Sequence, residues 1–151
     1  MNQESSKQSK IRKAAKELDE AIEKQDYMGI ESCFSDDCLI ELLGVQLLGI
    51  NGLKKAITWM YRHVNNITLT PVVITVKGNV FFEEFVLQSK CTGNEVIKVR
   101  QAEVLVYDDD FKVKRLSLYF DRLEMAKAFG LNYFDRKIVN RLIKESLKGL
   151  L

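Results

Sequence analysis

Two glutamates, Glu84 and Glu103, stand in segments otherwise dominated by apolar residues, FFEEFVL and QAEVLVY. A carboxyl enclosed by hydrocarbon has its pKa raised, and two facing carboxyls resist double ionisation. One then stays protonated as a donor or serves as a general acid or base. These two are the candidate catalytic groups. The plainer expectation for either is a solvated place at the rim of the fold, or an ion pair with Lys98, Arg100 or Arg115. His63 is the only histidine, which excludes a multi-histidine metal site and leaves one candidate for any Ser-His or Cys-His arrangement. On a predicted helix it reads as a surface or helix-end residue rather than a base. Cys33, Cys38 and Cys91 are an odd set with no CxxC pair, so a disulfide framework and a zinc knuckle both lack support and reduced, buried thiols are expected. No metal or cofactor is expected.

The elements that must position these groups follow from composition and period. A chain of 151 residues is sized for one core. Its net charge of +2 advertises neither nucleic acid nor a membrane surface. The polar start MNQESSKQSK has no apolar run behind it, and no stretch approaches the ~20 apolar residues of a membrane span. A cytoplasmic location is the expectation.

Residues 1 to 8 read as a disordered tail. From Ile11, the positions Ala14, Ala15, Leu18 and Ile22 continue the stripe of an amphipathic helix whose other face carries Lys13, Glu17, Asp19, Glu20 and Lys24. Asp26 can cap a shorter helix that stops at Ser35-Asp36-Asp37. CLIELL, residues 38 to 43, reads as a buried strand. Asn51 is placed to cap a third helix holding Leu53, Ala56, Ile57, Met60, Tyr61 and Val64. The period then changes: segments 68–77, 80–89, 95–107 and 112–121 are rich in β-branched and aromatic residues. Gly78-Asn79, Thr92-Gly93-Asn94 and Asp108-Asp109-Asp110 separate them as hairpin joints, so an antiparallel meander is expected. Residues 122 to 128 are helical and end at Gly130. A domain over 9–130 followed by a basic amphipathic helix over 131–151 gives an α+β class.

This order, with the spacing of DYMGIESCFSDDCLIEL from Asp26 to Asp37 and the closing Tyr119-Phe120-Asp121, resembles the nuclear transport factor 2-like superfamily, which includes ketosteroid isomerases, limonene epoxide hydrolases and SnoaL-type cyclases. The resemblance covers roughly residues 10 to 128. It implies a cone: a curved antiparallel sheet wrapped on three N-terminal helices, with a pocket between its concave face and the first and third helices. Aligned with the isomerase pattern, the general-base Asp falls at Leu42, the oxyanion Tyr at Leu18 and the oxyanion acid at Glu103. Aligned with the epoxide hydrolase pattern, the Arg and Asp fall at Glu84 and Val86, the second Asp at Leu118, and the Tyr and Asn at Ile40 and Leu42. Neither standard set is complete, and the scaffold specifies no single reaction.

On that fold, alternation sends Ile40, Leu42, Val86, Leu105, Leu116, Leu118 and Phe120 inward with Trp59 or Tyr61, and makes Glu84, Gln101 and Glu103 the polar exceptions. Such a pocket suits a small apolar or aromatic molecule. Asp121 reads as a structural residue, pairing with Arg122 or capping the next helix. Phe85, Leu87, Ala102, Val104, Val106 and Tyr119 share the other face, enough apolar surface to predict a homodimer through it. For the C-terminal helix, Arg136, Lys137, Arg141, Lys144 and Lys148 lie opposite an apolar stripe. Packing on its own domain or closing the pocket mouth is the plain expectation, with a partner or membrane surface as the other. Two functions stay open: a non-catalytic binding module, and an enzyme using Glu84 and Glu103.

Overall fold

The computed structural model describes residues 3–91 and 95–150. The first helix, α1, spans Gln3–Glu23, so residues 3 to 8 are its first turns rather than a tail; residues 1 and 2, and the Thr92-Gly93-Asn94 joint, lie outside the described residues. Ile11, Ala15 and Leu18 are buried along one face of α1. Helix α2, Tyr27–Ser32, is capped as expected by Asp26, whose carboxylate accepts the Gly29 N–H at 3.0 Å.

Two boundaries differ from the sequence expectation. Ser35, Asp36 and Asp37 are not a turn but already part of strand β1, Phe34–Leu42, because the chain turns earlier, at Cys33, whose N–H closes α2 onto the Ile30 carbonyl. A short strand β2, Val45–Leu48, folds back on β1 through Leu43-Gly44, both at positive φ. Helix α3, Gly49–His63, starts ahead of Asn51, which caps nothing. Gly49, at φ 63°, turns the chain directly from strand to helix.

The meander follows as β3 (Val64–Lys77), β4 (Val80–Cys91), β5 (Val96–Tyr107) and β6 (Val113–Phe120). The sheet order is β2-β1-β6-β5-β4-β3. It is mixed rather than wholly antiparallel, because β1 pairs β6 in parallel, with Ile40 opposite Leu116 and Leu42 opposite Leu118. Register shifts in edge strand β3, between Asn65 and Thr68 and between Pro71 and Val73, bend the sheet. The only proline, Pro71, lies on that edge, where its missing N–H is tolerated.

Two apolar clusters fill the interior. One joins α1, α3 and the ends of the strands around Leu18, Ile40, Phe81, Leu105 and Tyr107. The other gathers Val64, Phe85, Leu87, Val99 and Met125. Asp121 caps helix α4, Arg122–Ala126, accepting the Leu123 N–H at 2.7 Å. A 3-10 turn, Lys127–Phe129, ends at Gly130 in the left-handed region. Helix α5, Tyr133–Ser146, follows, capped by Asn132 and with no buried residue. Phe134, Ile138 and Leu142 on it are exposed, so its apolar stripe does not pack on its own domain. None of the described helices is long and apolar enough to cross a membrane.

Candidate functional site

A cavity of about 120 Å³ opens between α1, α3 and the concave face of the sheet. It lies between the two apolar clusters. Of the residues expected to line it, Ile40, Leu42, Trp59, Gln101, Glu103, Leu116, Leu118 and Phe120 do so. Leu105 faces inward but is buried in the first cluster, away from the cavity lining.

Strand β4 is turned over relative to the expectation. Glu83, Phe85 and Leu87 are buried, with Phe85 and Leu87 lining the cavity, while Glu84 and Val86 lie on the outer face. The Lys77 to Val80 pairing across Gly78-Asn79 fixes this register, and a one-residue slip exchanges the faces of a strand. Glu84 therefore lies outside the cavity and forms an ion pair with Arg100. Phe85 and Leu87 likewise leave the outer face, which keeps Ala102, Val104, Val106 and Tyr119. Arg115 is held on that outer face by Glu41, which accepts it at 2.6 Å and accepts the Ser117 hydroxyl at 2.7 Å.

The acidic partner of Glu103 is Glu83. They are register partners on β5 and β4, and Asp19 from α1 completes a group whose carboxylate oxygens lie within 4.8 Å of one another. Asp19 and Glu103 line the cavity; Glu83 is 2 % exposed and lies outside the lining. At such separations, two ionised carboxylates repel by about 3–4 kcal/mol at an effective dielectric of about 20. Three charges cannot coexist there, so the group retains protons.

Each carboxyl shows this. Burial, then the neighbouring Glu83, Glu23 and Glu20, pushes Asp19 up to about 7. Burial, reinforced by Asp19 and Glu83, holds Glu103 well above the usual carboxylate range. Burial also raises Glu83, whose Oε1 has no hydrogen-bond partner among the described residues. The Tyr107 hydroxyl, 2 % exposed and also without a partner, is pushed up by burial and then by Glu103.

Asp19 was not separable from the polar face of α1 by spacing alone. It sits four residues after Ala15 and three before Ile22, on the flank of the buried stripe, and the curved sheet covers a wider sector of α1 than a flat surface would. That flank position is the one signal in the sequence, and it does not by itself say that the flank is covered. His63 also lines the cavity, with its ring edge-on to Phe129 at 4.7 Å and to Trp59 at 5.4 Å. Burial, with Arg62 beside it, lowers its pKa.

Among the described residues, Asp19, Glu83 and Glu103 form a group with metal-ligand spacing. Beside Asp19 and Glu103, the lining carries Gln101 and His63 as polar residues. A hard divalent cation could take these carboxylate oxygens with waters completing its shell, but only after the protons held by the group are released. The arrangement is better suited to holding and moving protons.

At the level of sequence, no family model matches the chain and no curated protein matches it. Solved structures do. A nuclear transport factor 2-like protein of unknown function from Burkholderia pseudomallei superposes with a TM-score of 0.73 at 15% identity, over 80% of this chain and 98% of that one. TerC, co-crystallised with polyporic acid, gives 0.70 at 16% identity over 78% and 96%. An epoxide hydrolase of the limonene type from M. tuberculosis gives 0.68 at 18% identity over 80% and 90%. The curved six-stranded sheet, the helices inside it and these superpositions together give the chain the nuclear transport factor 2-like fold that its sequence resembles.

Proposed function

We propose that the cavity takes a small apolar molecule and that the protein transfers a proton on it, with Asp19 as base and then acid, and Glu103 as a protonated hydrogen-bond donor. The observation that carries this reading is the placement of Asp19 and Glu103 on the lining of a mainly apolar cavity, within 4.8 Å of each other and of the buried Glu83. A group poised near neutrality beside one kept protonated is the division of labour that proton transfer requires. On a ketone, the Asp19 carboxylate would take a proton from the carbon next to the carbonyl. The C–H electron pair would pass into an enolate, whose oxygen the Glu103 O–H stabilises. The proton would return to carbon from Asp19, with no net co-reactant.

Leu18 and Leu42, where the isomerase pattern has its Tyr and Asp, leave hydrocarbon walls, so the chemistry would rest on Asp19 and Glu103 instead. A volume of about 120 Å³ is close to that of an engineered cavity that holds benzene, roughly 150 Å³, and favours a one-ring molecule. The neighbours TerC, co-crystallised with polyporic acid, and the epoxide hydrolase support organic ligands on this scaffold. The reading includes a homodimer through the outer sheet face carrying Val104, Val106 and Tyr119.

The test uses cyclohexanone in D2O, with exchange of its α-protons followed by NMR at pH 8. Wild type should exchange them at least ~100-fold faster than Asp19→Asn, the lower end of a single acid–base group's contribution. Equal rates would end the proton-transfer reading and leave the binding module, which quenching of the single Trp59 by nitrobenzene would then report.

A further inference from the structure

Charge along the chain is segregated in a way that its total conceals. Residues 133–151 hold five Lys or Arg and two Asp or Glu, a net +3 against +2 for the whole chain, which leaves the preceding residues net negative. The positive balance therefore belongs to the α5 segment alone.

The geometry of α5 sorts these charges. At about 100° per residue, Lys137, Arg141 and Lys144 form one stripe, and Phe134, Ile138 and Leu142 form the stripe beside it. All six are exposed. Val139 and Ile143 are half-buried, and Arg136 ties the start of the helix to Glu95 at 3.3 Å. Glu145, which would interrupt the apolar stripe, is paired with Lys148 at 2.5 Å. Beyond the helix, Leu147 and Leu150 extend the exposed apolar surface.

We propose that α5 lies on an anionic lipid surface, with Phe134, Ile138 and Leu142 in the acyl boundary and Lys137, Arg141 and Lys144 at the headgroups. An apolar stripe flanked by long basic side chains is the pattern of an interfacial helix, whose lysines and arginines extend their charges to the headgroup level. Charge complementarity selects this occupant. A second copy of the same helix would bring two positive segments together, and a nucleic acid would leave the apolar stripe in water.

The test is co-sedimentation of the full-length chain with vesicles of phosphatidylcholine containing phosphatidylserine, and with vesicles of phosphatidylcholine alone. Binding is expected only to the anionic vesicles, weakening with added salt as charge screening requires. Both Ile138→Glu with Leu142→Glu and Lys137→Glu with Arg141→Glu should lower it by at least ~10-fold. The circular dichroism spectrum of each variant checks that the domain is intact. No binding to anionic vesicles, or equal binding to both kinds, overturns the proposal. So does self-association of the free protein that Ile138→Glu with Leu142→Glu abolishes, or binding of an RNA oligonucleotide that this double variant leaves unchanged.

Discussion

Glu83 and Glu103 face each other directly across the β4–β5 ladder, two inward carboxyls on register-paired residues. Like charges in that position destabilise a sheet, and protonation of one of them removes the repulsion. With Asp19 beside them, folding takes up protons. In the unfolded chain Asp19 titrates near 3.8, and in the folded chain at about 7. Between those values the folded state holds more protons than the unfolded state, so this group's contribution is fully present below about pH 4 and is lost as pH rises to about 7. Urea unfolding should therefore show Asp19→Asn to be more stable than wild type at pH 8, by on the order of 2–4 kcal/mol, with the gain shrinking toward pH 4. A pH-independent difference between the two would contradict the assignment.

Glu84→Ala separates the two faces of β4. Its ion pair with Arg100 is on the surface, so the loss should be under ~1 kcal/mol. The quenching of Trp59 by nitrobenzene should be unchanged. Altered quenching would return Glu84 to the cavity.

Gly52→Ala should destabilise the protein although alanine is the better helix former by ~1 kcal/mol. Gly52 lies on α3 where a Cβ would stand 2.7 Å from the Leu47 carbonyl carbon. The backbone must shift, at a cost of about 1–3 kcal/mol. Thermal unfolding measures it, and a raised Tm would refute the close approach.

Val104→Glu places a charge at the centre of the outer sheet face, between Phe82 and Ser117. If two copies pair through that face, sedimentation should show the variant as monomer where wild type is dimer. An unaltered wild-type dimer in the variant would move the interface elsewhere.

Much of this was legible in the sequence because the relevant periods were unambiguous. The stripe from Ile11 to Ile22, the one from Leu53 to Tyr61 and the hairpin residues Gly78-Asn79 fixed the order of helices and strands. On β6, Leu116, Leu118 and Phe120 alternate with Arg115 and Ser117, and on β5 the buried Ile97 and Val99 against the exposed Lys98 and Arg100 set the parity that carries Gln101 and Glu103 inward. Strand β4 reads apolar on both faces, Phe81, Phe85 and Leu87 on one and Phe82 and Val86 on the other, with Glu83 and Glu84 adjacent. Period alone cannot orient such a strand, and the inward glutamate is decided by the hairpin register. Asp19 was hidden for a different reason: whether the flank of a helical stripe is buried depends on the curvature of a sheet that forms some sixty residues later.

The parallel seam between β1 and β6 also sets the order in which the molecule can be built. The Ser117 hydroxyl reaches Glu41 across a separation of 76 residues, whereas β3 to β6 pair with their immediate successors. Closing the long loop carries an entropy cost that local hairpins avoid. During synthesis the meander can therefore assemble as each strand emerges, but β1 has no seam partner until β6 has left the ribosome. Until that moment the chain lacks one wall of its chamber, and Asp19 waits in water as an ordinary ionised aspartate.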